Sequence, residues 1–298
     1  MSDGLLHGWL VIDKPVGPGS TQVVGAVKRA LREAGLPKHK VGHGGTLDPL
    51  ASGVLPVALG EATKLAGRML DATKAYDFTV RFGEETSTLD AEGEVVATSA
   101  VRPALSAVEA VLRRFTGPIE QVPPAYSALK VDGRRAYDLA RTGEEVTLSS
   151  RSVTIFALAM VAASDGDVTL SATVSKGTYI RSLARDIARA LGTVGHVAML
   201  RRTRAGPFTL SQAISLDFLA QTAMARRLDG AVLPLVAGLD DIPALPVSPE
   251  EAALLRQGRR LPRSPVLPGL HLATDAGRPV ALVESGDDGL RVVRGLNL

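Results

Sequence analysis

The chain alternates short apolar runs with polar, glycine-bearing segments, and this rhythm predicts a mixture of strands and short helices. Trp9–Ile12 is a continuous apolar run of strand length, ended by Asp13-Lys14-Pro15 and a Gly/Pro loop. Ser20 or Thr21 can cap a helix running to about Ala34, with Val23, Val24, Val27 and Leu31 on one face and Gly35 closing it. Val54–Leu59 reads as a buried strand and Gly60–Leu70 as a short helix. Ala75–Phe82, opened by Tyr76, alternates as a half-buried strand. Thr86–Gly93 reads as a turn between strands, and Leu105–Phe115 as a helix. A turn at Asp132-Gly133 leads into a helix over Ala136–Arg141. Val153–Ala162 and Val168–Ser175 pattern as an antiparallel pair, a strand end at Ser175 enters a helix to Leu191, and another helix begins near Ser211. From about Leu245 a short helix at Pro249–Gln257 and strand-like pieces at 266–267, 270–273, 280–284 and 290–293 predict a small β unit.

Composition bounds the class. With 298 residues, 45% hydrophobic and 22% charged, the chain can build one large domain with an appendage, or two domains. It has no cysteine, which excludes disulfides, thiolate zinc sites and a cysteine nucleophile. The five histidines (His7, His39, His43, His196, His271) show no metal-ligand spacing. Neither a signal peptide nor an apolar stretch of membrane-spanning length occurs, so a cytoplasmic protein is expected. The net charge of +3 hides two basic regions. Lys28–Lys40 holds five cations against Glu33, and Lys176–Phe208 holds seven against Asp186. These are either solvated helix faces or surfaces for a phosphate backbone.

The densest candidate chemistry is Gly42-His43-Gly44-Gly45-Thr46-Leu47-Asp48-Pro49-Leu50-Ala51-Ser52-Gly53. Three glycines in four residues allow close approach of another molecule. Pro49 biases Asp48 toward an extended backbone. Asp48 thus stands on a stiffened loop ahead of a core strand, as a presented carboxylate or as a plain turn residue. A nucleotide-binding P-loop is disfavoured, because no Gly-Lys-Ser/Thr follows the glycines. A two-carboxylate glycosidase is weaker, because no second acid stands in a comparable loop.

The whole phrase resembles the catalytic motif of the TruB family of tRNA pseudouridine synthases, close to G-H-x-G-x-L-D-P-x-A-x-G. Further runs resemble the same family in the same order: Asp13-Lys14-Pro15, the Thr86–Gly93 segment, Pro123-Pro124-Ala125-Tyr126-Ser127-Ala128-Leu129-Lys130, Lys176-Gly177-Thr178-Tyr179-Ile180-Arg181, and Leu200-Arg201-Arg202-Thr203 through Phe208. The resemblance spans roughly residues 9 to 215.

It implies an α+β fold: a catalytic domain over 1–240 with a largely antiparallel sheet and flanking helices, and a small C-terminal β-rich, PUA-like RNA-binding domain over 241–298. It implies isomerisation of uridine to pseudouridine at position 55, in the T stem-loop of tRNA, by a monomer without metal or cofactor. Asp48 is implied as the catalytic carboxylate, Arg181 as its partner and Tyr76 as the ring stacked on the flipped base. His43, Tyr179 and Leu200 would line or brace the pocket, with Lys14 and Pro15 in support. Lys130 would lie near the RNA surface, and Arg201 and Arg202 would meet phosphates. The competing class is a non-catalytic RNA-binding or tRNA-folding module, which needs the basic patches but not Asp48.

Overall fold

The computed structural model describes residues 4–127, 129–131, 133–142, 144, 147–164, 166–262 and 267–298, leaving aside the side chains of Lys130 and Arg135. In chain order the first elements are β1 (Gly8–Lys14), α1 (Ser20–Glu33), β2 (Val41–His43), β3 (Ala51–Leu59), α2 (Ala66–Asp71), β4 (Lys74–Phe82), β5 (Glu84–Thr86), β6 (Val95–Thr98), α3 (Leu105–Leu112) and β7 (Gly117–Gln121). Then come β8 (Lys130–Val131), β9 (Arg134–Arg135), α4 (Ala136–Arg141), β10 (Arg151–Ser164), β11 (Asp167–Val174), α5 (Ile180–Ala190), β12 (Gly195–Ala205), β13 (Phe208–Thr209), α6 (Leu216–Met224) and β14 (Leu233–Pro234). The last stretch is β15 (Ala244–Pro246), α7 (Pro249–Arg256), β16 (Gly269–Asp275), β17 (Arg278–Gly286) and β18 (Gly289–Gly295).

One large sheet runs in the order β14-β1-β3-β12-β4-β11-β10-β7, with β2 on β3 and β13 on β12. Every pairing in it is antiparallel except β12 on β3. That one parallel step places Leu200, Arg201 and Arg202 opposite Ala51, Ser52 and Gly53. The other edge of β12 places Leu200 opposite Phe78 and Arg202 opposite Tyr76. Two separate sequence motifs and Tyr76 therefore meet on three adjacent strands.

Helices cover the sheet because their apolar faces need partners. α1 buries Val23, Val24, Val27 and Leu31, the face its spacing predicts, against Leu10, Ile12, Leu55 and Val57. α5 buries Ile180, Leu183, Ala184 and Ile187 in a second cluster with Phe78, Val80 and Leu170. Tyr76 and Leu200 pack against both clusters, at the seam between them.

The C-terminal segment is β-rich: β15–β18 form a separate four-stranded sheet that carries α7. It does not hang free. Leu272, Leu282 and Leu296 share one buried cluster with Trp9, Val11 and Phe208. Trp9 is fully buried, tilts against Phe208 with ring centroids 5.2 Å apart, and donates its indole N–H to the Leu235 carbonyl at 3.0 Å. No helix among the described residues is long and apolar enough to cross a membrane.

Two local expectations are corrected. Gly19, not Ser20, sits at the N-cap of α1. The Ser20 hydroxyl instead turns inward, accepting from the Leu47 N–H at 2.8 Å and donating to the Leu47 carbonyl at 3.0 Å. The helix expected from Ser211 begins at Leu216, because the Ser215 hydroxyl caps it by accepting from the Phe218 N–H at 3.1 Å. Asp132 and Val266 lie outside the described residues.

Candidate active site

The loop 44–50 between β2 and β3 carries Asp48, and almost every constraint on it comes from elsewhere in the fold. Ser20 grips the backbone of Leu47, as described. Lys14, at the end of β1 and fully buried, donates to the Pro49 carbonyl at 3.2 Å and to its neighbour Pro15 at 2.9 Å. The Gly17 N–H donates to the same Pro49 carbonyl at 2.9 Å. The Asp13-Lys14-Pro15 run thus supports the loop, as its resemblance implies.

Arg202 supplies the fourth restraint and corrects an expectation. It is 1% exposed, so it cannot reach a phosphate. Its Nε donates to Val54 at 2.7 Å, Nη2 to Gly45 at 3.1 Å and Nη1 to Thr46 at 3.3 Å, each onto a backbone carbonyl. A planar guanidinium can fan out to several carbonyls at once, where an ammonium is a point charge. Gly53 is needed beside it: φ is +101°, and a Cβ there would lie 2.2 Å from the Arg202 carbonyl oxygen. Arg201 differs: the parallel register carries it to Ser52 and to Asp13, with which it pairs at 2.8 Å while its side chain stays 35% exposed.

Arg181 is the centre of the electrostatics. It lies in the first turn of α5, within the helix expected after Ser175. It is 7% exposed. Its Nη2 pairs with an Asp48 carboxylate oxygen at 2.9 Å, and its Nη1 approaches Asp90 at 3.4 Å. The same two nitrogens donate to the Thr88 and Tyr126 carbonyls at 2.9 and 3.0 Å. A buried guanidinium with two carboxylates and two carbonyls is well compensated, and its geometry is correspondingly fixed.

Asp90 is the second acid that sequence reasoning missed. It lies in the β5–β6 hairpin loop, far from Asp48 in sequence, so no local spacing marks it. Its signal was only its place in the Thr86–Gly93 motif. Leu89 before it takes a left-handed backbone, φ 63°, rare for a leucine, while its carbonyl accepts from Val197 of β12 at 3.0 Å. The buried Asp90 also accepts from the Thr88 hydroxyl and from the Glu92 N–H. The two aspartates therefore differ: Asp90 is enclosed, whereas the Asp48 side chain stays 43% exposed at a small cleft. Leu50, Val197, Met199 and Leu200 line that cleft with Asp48, Asp90 and Arg181. Burial, then the charges of Asp90 and Asp48, holds the nearby Glu92 carboxyl above the usual range.

The other expected residues fall at graded distances. Leu200 lines the cleft, and Tyr76 stands beside it across the β4–β12 ladder. His43 sits on β2 and its Nδ1 accepts from the Gly45 N–H at 3.4 Å. Burial, and then the Arg202 charge, lowers its pKa and favours the neutral ring. Tyr179 is the N-cap of α5. The buried Gln121 amide clasps its backbone on both sides, accepting from its N–H at 2.8 Å and donating to its carbonyl at 3.1 Å. The Tyr179 ring carries the Arg151 guanidinium 5.2 Å from its centroid. Lys130 falls in β8 but its side chain lies outside the described residues.

Two family models match the chain: the TruB family pseudouridylate synthase N-terminal domain over residues 30–180, and the tRNA pseudouridylate synthase B C-terminal domain over 181–240. The chain is 62% identical over 99% of its length to a tRNA pseudouridine synthase B of Novosphingobium aromaticivorans, 98% of which is covered. It is 58% identical over 98% of its length to the protein of that name from Zymomonas mobilis, covering 96% of it. Among solved structures it resembles a chain of an H/ACA RNP bound to a substrate RNA containing 2′-deoxyuridine, with a TM-score of 0.73 at 26% identity, covering 98% of this chain and 86% of that one.

Two outcomes follow from the buried cations. Arg202→Lys should cost about 1–3 kcal/mol in urea unfolding, because carbonyls lose their donors. The salt dependence of RNA affinity should stay as in the wild type; a slope smaller by about one would restore a phosphate contact. Burial lowers the Lys14 pKa from 10.5 to about 8, and likewise that of Lys74. Between those pH values the unfolded chain binds a proton that the folded chain does not, so raising the pH through this window favours the fold. Lys14→Met should show a smaller gain in unfolding free energy between pH 7.5 and pH 10 than the wild type, measured in parallel urea titrations.

Proposed function

The chain belongs to the TruB family of tRNA pseudouridine synthases, and from that premise we propose that it acts as a monomer on the T-loop uridine of tRNA, position 55. It is an isomerase that converts uridine to pseudouridine in tRNA. The observation that carries the mechanism is the Asp48–Arg181 pair at 2.9 Å, with Asp48 at the open side of the cleft and Arg181 behind it.

The target base must leave the RNA stack before chemistry can reach it. Leu200, which lines the cleft with Asp48, and Tyr76, on the neighbouring strand, offer an apolar edge and a ring to receive it, and the neutral His43 braces the glycine loop. Stacking of a base on an aromatic ring contributes about 1–3 kcal/mol. Asp48 then begins the reaction. Addition to C1′, addition to uracil C6 and removal of the C2′ proton all demand an ionised carboxylate. An adjacent guanidinium favours that form and fixes its direction. The N1–C1′ bond breaks, the uracil turns, and C5 bonds to C1′. The proton lost from C5 balances the one gained at N1, and Tyr76 or another base near C5 removes it. The atoms balance with no co-substrate.

Asp90 holds the far side of Arg181, so the arginine cannot swing away from Asp48. The small C-terminal sheet, within residues 241–298, is assigned as a PUA-like surface for the rest of the RNA, anchored through Leu272, Leu282 and Leu296.

Asp48→Asn is nearly isosteric, yet it removes the charge and the nucleophile. Pseudouridine formation in a T-stem-loop RNA should fall below detection, while RNA affinity stays within about tenfold, or about 1.4 kcal/mol. Retained turnover would favour the binding-module alternative.

A further inference from the structure

The cations of this chain fall into two populations. Those between Lys176 and Phe208 are mostly engaged within the protein. Arg181 meets Asp48 and Asp90, Arg185 meets Asp186, Arg189 meets Glu85, Arg201 meets Asp13, Lys176 meets Asp71, and Arg202 is buried on carbonyls. The cations between Lys28 and Lys40 are different. Lys28, Arg29, Arg32, Lys38 and Lys40 are exposed, and none has a side-chain partner among the described residues. In the second region the half-buried Arg204 has no side-chain partner among the described residues, whereas the first region presents five exposed cations without one.

Arg29 and Arg32 line an open groove of about 490 Å³ between α1 and the start of α6. Gln22 and Gly25 share the same helix face, at helical spacing, with Pro18 at one end and Leu216 opposite. One end of the groove is tied to the loop that carries Asp48: Pro18 follows Gly17, whose N–H donates to the Pro49 carbonyl at 2.9 Å. Gly25 carries an independent hint. It stands in the middle of α1, where glycine weakens a helix relative to alanine. A Cβ there would meet nothing within 4 Å, so no neighbour in the fold demands a glycine. What the glycine leaves open is the groove itself.

We propose that this groove seats the phosphate backbone of the RNA strand leading away from the flipped uridine. The inference rests on the isomerase reading above. An RNA backbone matches both the unpaired arginines and the tie, through Gly17, between the Pro18 end of the groove and the catalytic loop.

The test uses the full chain with Arg29→Ala/Arg32→Ala, with Gly25→Gln, and with Arg113→Ala/Arg114→Ala as an exposed control pair on the segment after α3. Affinity for a T-stem-loop RNA and for full-length tRNA is measured across salt, alongside melting temperature and pseudouridine formation. The arginine double variant should bind both RNAs more weakly by a similar factor, about fivefold or more, and flatten the log-affinity against log-salt slope by about one to two. Gly25→Gln should weaken binding without lowering the melting temperature, and the control pair should leave stem-loop affinity unchanged. Wild-type affinity and slope in the groove variants would overturn the assignment. So would a loss confined to full-length tRNA, since the contact would then lie far from the flipped base. If the wild type forms no pseudouridine on either RNA, the isomerase premise fails; if it does and the groove variants bind normally, only the groove falls.

Discussion

The Arg181 guanidinium sets the arrangement on which the rest depends. It is a nearly buried charge, and such a charge is tolerable only when paired and hydrogen-bonded on most of its donors. The chain meets this with Asp48 from the loop before β3, Asp90 from the β5–β6 hairpin loop, and carbonyls of Thr88 and Tyr126. The donors of Arg181 thus draw three distant segments onto the start of α5. The same constraint presents a carboxylate: Asp48 meets the protein on one side and the cleft on the other.

A second constraint comes from β12 between β3 and β4. Its parallel step onto β3 sets Arg202 against Gly53, and its antiparallel step onto β4 sets Arg202 against Tyr76. The buried cations Lys14, Lys74 and Arg202 are hydrogen-bonded to backbone carbonyls rather than to carboxylates. Such groups are costly to bury, and Lys14 and Arg202 hold the ends of the loop that presents Asp48. Rigidity at the site is therefore maintained against a stability cost in the layer beneath it.

Much of this was legible in the chain. The apolar face of α1, the strands around Tyr76, the 151–174 hairpin and the small C-terminal β unit follow from period and turn residues, because those signals are local. The pairing of Asp48 with Arg181 was legible only through motif resemblance, since no periodicity links residues so far apart. Asp90 was hidden by its setting in a turn, where an aspartate has an ordinary local role. Arg202 misled for a related reason: an arginine-rich run looks like a phosphate surface until tertiary register shows what each side chain meets. The sheet turned Arg202 into the interior and set its neighbour Arg201 beside Asp13.

The proposed mechanism requires that Arg181, through its pair with Asp48, acts in the chemistry and not only in folding. Arg181→Lys keeps the positive charge but lacks the fork that spans two carboxylates and two carbonyls. The most direct measurement is its single-turnover rate of pseudouridine formation in tRNA, with circular dichroism and RNA affinity as controls. The account predicts a rate lower by about a hundredfold or more in a folded protein that binds tRNA within about threefold of the wild type. A folded variant with a rate within about threefold of the wild type would contradict it.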